Sequence, residues 1–260
     1  MAIAKISARI SLAASLAVAV TAIAAAPAMA GETVTYKAAE ADYEGYYAAA
    51  KADSKGLVII IHDWDGLTDY EQKRADMLAE LGYDSFAVDL YGKGNRPETM
   101  EARQAETGKL YKDREAMRTR LVAGLDAARA QSGDEKTVVI GYCFGGAAAL
   151  ELARSGLAEN VDGYATFHGG LQTPDGQAYP DQTPPILIAQ GGADTSVPPA
   201  DAFALVKTLE DKGITYELEV YSGAPHAFSV FGSDRYREVA DEESWAAFQS
   251  FLGRYLAQGS

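Results

Sequence analysis

The chain has 260 residues, enough for one sizeable α/β domain with its own core and too few for two independent catalytic domains. Its 37 acidic residues outnumber 23 basic ones, and a formal net charge of −14 excludes nucleic acid and other polyanions as natural partners. A single cysteine, Cys143, excludes a disulfide framework.

Residues 1–30 read as a secretory signal peptide: Lys5 and Arg9 come first, an apolar stretch follows over 10–26, and Pro27-Ala28-Met29-Ala30 supplies an A-x-A cleavage site. The expected product is residues 31–260, a single domain exported to the periplasm or the medium. No cysteine stands where a lipoprotein needs one, and no later segment is apolar for long enough to span a bilayer. After cleavage no membrane partner is expected, and the protein is read as a monomer or small homo-oligomer. In an oxidising compartment a structural cysteine ordinarily has a mate, so the solitary Cys143 is a candidate reactive thiol; the alternative is an inert, buried, small hydrophobe.

Residues 57–61 form a β-branched run that reads as a buried strand. Thr68-Asp69-Tyr70-Glu71 is a capping box opening a helix to Gly82, with Tyr70, Met77, Leu78 and Leu81 on one face. A strand over 85–90 leads into a long polar excursion over 93–108, then a helix over about 110–130. The strand 137–142 runs straight into a small-residue helix over 144–155 closed by Gly156. Strands are expected at 161–167, 185–189 and 216–221, with a helix over 198–212 closed by Gly213 between the last two. A final helix over 238–256 aligns Trp245, Phe248, Leu252 and Tyr255 in one stripe. Apolar strands alternating with amphipathic helices predict an α/β fold: a mostly parallel central sheet with helices on both faces.

The sharpest motif is Gly141-Tyr142-Cys143-Phe144-Gly145-Gly146, a nucleophile elbow between strand and helix with Cys in the Ser position. The turn is tight enough to require glycine at minus two and plus two. The following helix points its N-terminus at the sulfur, which favours the thiolate and predicts a lowered thiol pKa. A base is needed, and the chain beyond Cys143 offers His168 and His226. His226 follows the last strand, where an α/β-hydrolase keeps its base; His168 ends a strand and reads as a structural histidine or one that borders the pocket. Asp194 follows the strand at 185–189, and the order Cys, Asp, His matches nucleophile, acid, base. Its competing reading is a cap for the helix that starts near Pro198. An oxyanion hole takes one backbone N–H from Phe144 and a second from the loop His62-Asp63-Trp64-Asp65-Gly66, where Trp64 is the expected donor. The same run offers His62, Asp63, Asp65 and Asp69 as metal ligands, but no second ligand cluster lies downstream.

With these residues in hand, the chain resembles the dienelactone hydrolase family of α/β-hydrolases. The matching pieces are residues 61–67, 88–94, 141–146, 167–170, 192–194 and 225–228, in family order across nearly the whole expected mature chain. The resemblance implies the α/β-hydrolase fold, a Cys-His-Asp triad at Cys143, His226 and Asp194, no cofactor, and a small-molecule ester or lactone as substrate. It also implies an acidic residue beside the nucleophile, ordinarily Glu, at the position of Asp63. The family's two carboxylate-holding arginines match Lys93 and Val230, with Arg96 or Arg235 as substitutes. His62, Asp63, Tyr91, Lys93 and His168 are therefore the candidate substrate-binding residues.

The expected function is hydrolysis of an ester, enol-lactone or thioester through an acyl-enzyme on Cys143. Sulfur leaves a tetrahedral adduct more readily than an alkoxide does, so a substrate with a good leaving group is favoured. The competing readings are a non-catalytic periplasmic binding protein on the same fold, a thiol redox protein, which would lack a resolving cysteine, and a metallohydrolase built on His62.

Overall fold

The computed structural model describes residues 31–133 and 136–256; the expected signal peptide lies outside the described residues. In chain order the elements are β1 (Glu32–Ala38), β2 (Ala41–Ala48), β3 (Leu57–Ile61), α1 (Asp69–Glu80), β4 (Asp84–Val88), α2 (Met100–Lys112) and α3 (Arg114–Ser132). They continue as β5 (Thr137–Tyr142), α4 (Phe144–Ser155), β6 (Val161–Phe167), β7 (Ile186–Gly191), α5 (Pro199–Lys212), β8 (Tyr216–Tyr221) and α6 (Glu238–Tyr255). One eight-stranded sheet runs β1-β2-β4-β3-β5-β6-β7-β8. From β4 to β8 every pairing is parallel, whereas β2 joins β4 and β1 joins β2 antiparallel.

The fully buried β3 divides the core by alternation. Leu57, Ile59 and Ile61 pack with the buried faces of α3, α4 and α5, through residues such as Met117, Leu121, Leu150 and Leu205. Val58 and Ile60 pack on the other face with Leu78 of α1 and Trp245, Phe248 and Leu252 of α6. Parallel strands covered on both sides cannot show polar alternation, and so read as continuous apolar runs. The capping box is formed: the Thr68 hydroxyl accepts from the Tyr70 N–H, and the Glu71 carboxylate accepts from the Thr68 N–H. Among the described residues no helix is long and apolar enough to cross a membrane.

Two expectations need correction. The excursion over 93–108 is only partly loop, because α2 begins at Met100, capped by Thr99. Leu110 is its one buried residue, so the apolar periodicity that betrays a helix is missing. The sequence analysis also assigns no element to residues 31–56, where the β1–β2 hairpin extends the sheet edge. Its signal was the alternation of Val34, Tyr36 and Ala38 with Thr33, Thr35 and Lys37.

Candidate active site

β5 ends at Tyr142 and α4 begins at Phe144, so Cys143 makes the turn alone, with φ 51° and ψ −111°. A non-glycine residue held there costs on the order of 1–3 kcal/mol and persists only where its surroundings enforce it. The flanking glycines are that enforcement. A Cβ on Gly141 would lie 2.0 Å from the Gly145 carbonyl oxygen, and one on Gly145 would lie 2.1 Å from the Ile61 carbonyl oxygen. The elbow is thus wedged against the end of β3, and the Cys143 N–H donates to the Phe167 carbonyl of β6 (3.0 Å).

His226, in the loop after β8, brings Nε2 to 3.1 Å from the Cys143 Sγ and Nδ1 to 2.8 Å from the Asp194 Oδ2. With Nδ1–H donated to the carboxylate, Nε2 keeps a lone pair facing the thiol, and the S–H donates to it. Asp194, almost fully buried, uses its other oxygen to accept the Ser196 and Val197 N–H groups, each at 2.8 Å. The capping reading needs correction, because α5 has Pro198 at its N-cap with no side-chain hydrogen bond and Asp194 holds the turn ahead of it. One oxygen organises the turn into α5 and the other orients the imidazole.

The loop after β3 is held at several points. His62 Nδ1–H donates to the Asp63 carbonyl (2.6 Å), the Asp65 N–H donates to the Asp63 Oδ1 (3.1 Å), and the Tyr91 hydroxyl donates to the Trp64 carbonyl (3.1 Å). Among the described residues the Trp64 N–H meets no acceptor, while the Phe144 N–H points at the Cys143 sulfur.

The electrostatics correct one expectation. Burial pushes the Cys143 thiol well above its ordinary range, the carboxylates of Asp63, Asp194 and Asp65 push the same way, and the Phe144 N–H opposes them. A helix N-terminus supplies at most ~2 kcal/mol, about one and a half pKa units. Burial and the neighbouring carboxylates outweigh it and hold the thiol pKa up. Asp63 is itself raised well above the usual carboxylate range, first by burial and then by its bond to Asp65.

The candidate substrate-binding residues divide. Asp63 and Tyr91 stand close enough to feel the thiolate charge, and Tyr91 supports the Trp64 carbonyl. His62 is a correction: it is fully buried, and its Nε2 accepts the Leu90 N–H (3.1 Å), so both ring nitrogens are spent on backbone. It has no donor or lone pair left for substrate or metal, and among the described residues no group of three or more His, Cys, Asp or Glu is gathered to hold a metal ion. His168 is also a correction. It too is fully buried, with Nε2 2.9 Å from the Ser229 Oγ and its ring edge-on to His226 at 5.3 Å between centroids. Lys93 pairs with Glu44 of β2 (2.8 Å), and Arg96 leans on Asp89 and the carbonyls of Gly92 and Asn95. The Lys93 charge is paired, Arg96 engages these partners through Nη1 alone, and Arg235 lies exposed.

Sequence reasoning missed a buried network next to His226. Ser229, three residues past His226, binds His168, the Tyr70 hydroxyl (2.9 Å) and, through its carbonyl, the buried Arg74 guanidinium (3.0 Å), which is paired in turn with Asp241. A lone serine carries no motif, so only the fold reveals this network.

Comparison with known proteins agrees with this geometry. A sequence model of the dienelactone hydrolase family matches residues 43–256. The chain belongs to the dienelactone hydrolase family. It is a dienelactone hydrolase-like hydrolase of lactones or esters. A carboxymethylenebutenolidase of Pseudomonas putida is 28% identical over 187 residues, covering 69% of this chain and 78% of the relative. A dienelactone hydrolase-like promiscuous phosphotriesterase from metagenomic libraries superposes with a TM-score of 0.78 at 26% identity, over 86% of this chain and 98% of its own. An esterase of Thermogutta terrifontis superposes at 0.61 and 18% identity, over 86% and 92%, a likeness of fold alone.

Proposed function

We propose that this dienelactone hydrolase-like enzyme cleaves an ester, enol-lactone or thioester bond of a small molecule by acyl transfer through Cys143, with His226 as base and Asp194 orienting it. The observation that carries this reading is the unbroken line from Sγ to Nε2 (3.1 Å) and from Nδ1 to the Asp194 carboxylate (2.8 Å) on a strained elbow. With the thiol pKa held up and Nε2 in contact with Sγ, attack and proton transfer belong to one event. The sulfur bonds to the acyl carbon as its proton passes to Nε2, and the oxyanion is received by the Phe144 and Trp64 N–H groups. The imidazolium, held by Asp194, then protonates the leaving oxygen or sulfur. Water enters, gives its proton to Nε2, and displaces the thiol, which recovers that proton.

The tetrahedral adduct expels whichever group leaves better, so aryl esters, enol-lactones and thioesters are turned over and simple amides are not. No cofactor enters this cycle. The enzyme is exported, with residues 1–30 as its leader and residues 31–260 as one hydrolase domain, and it works as a monomer or small homo-oligomer without nucleic-acid or membrane partners. The test is hydrolysis of p-nitrophenyl acetate by the protein and by Cys143→Ala, each with and without a thiol alkylator. Loss of activity in the variant and in the alkylated wild type is expected. Equal activity in variant and wild type overturns the assignment.

A further inference from the structure

Beside the elbow lies a cleft of about 350 Å³ whose walls include Tyr111, Arg114, Ala147, Arg154, Gly170 and Ser196, a volume in the range of small-ligand sites. It adjoins the proposed machinery on several sides. Ala147 lies one helical turn behind Cys143 and donates its N–H to the Cys143 carbonyl (3.2 Å). The Tyr111 ring packs edge-on against Phe144 at 5.4 Å, and Ser196 is bound to Asp194.

The charge of this cleft departs from that of the rest of the chain. Three guanidiniums converge on one buried carboxylate: Arg114 (2.7 Å) and Arg154 (3.2 Å) on the Glu151 Oε2, and Arg118 through two nitrogens on Oε1 (2.8 and 2.5 Å). Gln177 adds a further donor to Oε1, so both Glu151 oxygens are saturated. Asp201, which also borders the cleft, accepts from Gln172 (3.2 Å). Of the charged side chains that line the cleft, Arg114 and Arg154 outnumber Asp201, in a protein of charge −14.

The three arginines are not equivalent. Arg118 does not line the cleft, and Arg154 spends its nitrogens on Glu151, Gln177 (2.7 Å) and Tyr179 (3.0 Å). Arg114 gives one nitrogen to Glu151 and, among the described residues, keeps Nε and Nη2 without an acceptor. Its side chain is 27% exposed. We infer that this cleft is a substrate-binding site for an anionic group, a carboxylate or its like, taken up mainly by Arg114. The inference rests on the proposed function. It assigns charge selection to residues unrelated to the Lys93 and Val230 positions, and so makes the natural substrate an anionic ester or lactone.

The test compares charged and neutral members of matched pairs. Mono-4-nitrophenyl glutarate and suberate are set against their methyl esters, placing the charge on the acyl side, and 4-acetoxybenzoate against its methyl ester, placing it on the alcohol side. For at least one pair, Arg114→Gln lowers the charged-to-neutral ratio of kcat/KM about tenfold or more. Arg114→Lys restores part of that ratio, and Arg118→Gln, which disturbs the Glu151 cluster without touching the cleft, preserves it. A ratio that Arg114→Gln leaves unchanged in every pair overturns the inference, as does an equal fall in Arg118→Gln. Calorimetric titration with suberate separates this result from the proposed function. If the protein hydrolyses nothing, the reaction falls, and suberate binding that is lost in Arg114→Gln still supports the cleft, whereas no binding to wild type overturns it.

Discussion

Cys143 carries opposing influences, and their balance is measurable. The helix N-terminus and the Phe144 N–H favour the thiolate, while burial and the adjacent Asp63 carboxylate oppose it and prevail. Iodoacetamide should therefore alkylate Cys143 slowly at pH 7, with a rate that climbs as pH rises beyond the range of an ordinary thiol. Asp63→Asn replaces the side chain whose ionisation opposes the thiolate most strongly, so once the pH is high enough to ionise Asp63 the variant is expected to be alkylated faster than the wild type; an equal or lower rate there contradicts this account. Asp194→Asn exchanges the carboxylate that fixes the His226 tautomer for an amide, so kcat should fall on the order of 10³–10⁴-fold with the fold intact by circular dichroism. A smaller loss than tenfold would mean that the imidazole is oriented by something else. At this scale the sequence was legible where residue types and order coincide: Cys143, Asp194 and His226 were readable from the elbow motif and chain order. The raised pKa of the thiol was not, because it depends on burial and on carboxylates brought in from the loop after β3. His62 was misread as substrate-binding for the same reason, since a sequence does not show that both its nitrogens meet backbone partners, whereas the reading of His168 as a structural histidine agrees with its burial.

The elements around the elbow explain why its glycines are fixed. Gly145→Ala drives a Cβ into the Ile61 carbonyl and should cost about 3 kcal/mol or more, lowering Tm by roughly 6–12 °C in a chain of this size. An unaltered melting curve would refute the packing argument. The entry to α1 makes a second prediction. Glu71 is fully buried and accepts the Thr68 N–H and hydroxyl (2.8 and 2.9 Å), and burial pushes its carboxyl up to about 7. A carboxyl whose pKa is raised on folding stabilises the folded state while protonated, and that contribution is lost as pH climbs from about 4.5 through 7. Tm should therefore decline between pH 5 and pH 8, and Glu71→Gln should flatten the decline; an equal slope in the variant contradicts the assignment. Elements with strong period or punctuation, such as α4 between Cys143 and Gly156 and the apolar runs of β3 and β5, were visible in the sequence. α2 was not, because a helix that buries only Leu110 shows no apolar stripe.

The whole molecule places its chemistry at the C-terminal ends of the parallel strands, as open α/β sheets do. β5 delivers Cys143, β7 leads into Asp194, β8 leads into His226, and β3 leads into the Trp64 loop, so residues up to 162 positions apart in sequence meet at one edge. That convergence was predictable from the alternation of strands and helices. The hairpin that extends the sheet beyond β4 was missed although its alternation stands in the sequence, whereas the arginine cluster on Glu151, whose members come from α3 and α4, carries no motif. The central claim is that Cys143 carries the acyl group. The most direct measurement is rapid mixing with p-nitrophenyl acetate, acid quench within the first turnover, and peptide mass spectrometry. An added acetyl group on the peptide containing Cys143, absent from Cys143→Ala, is the predicted result; turnover with that peptide unmodified at every quench time would contradict it.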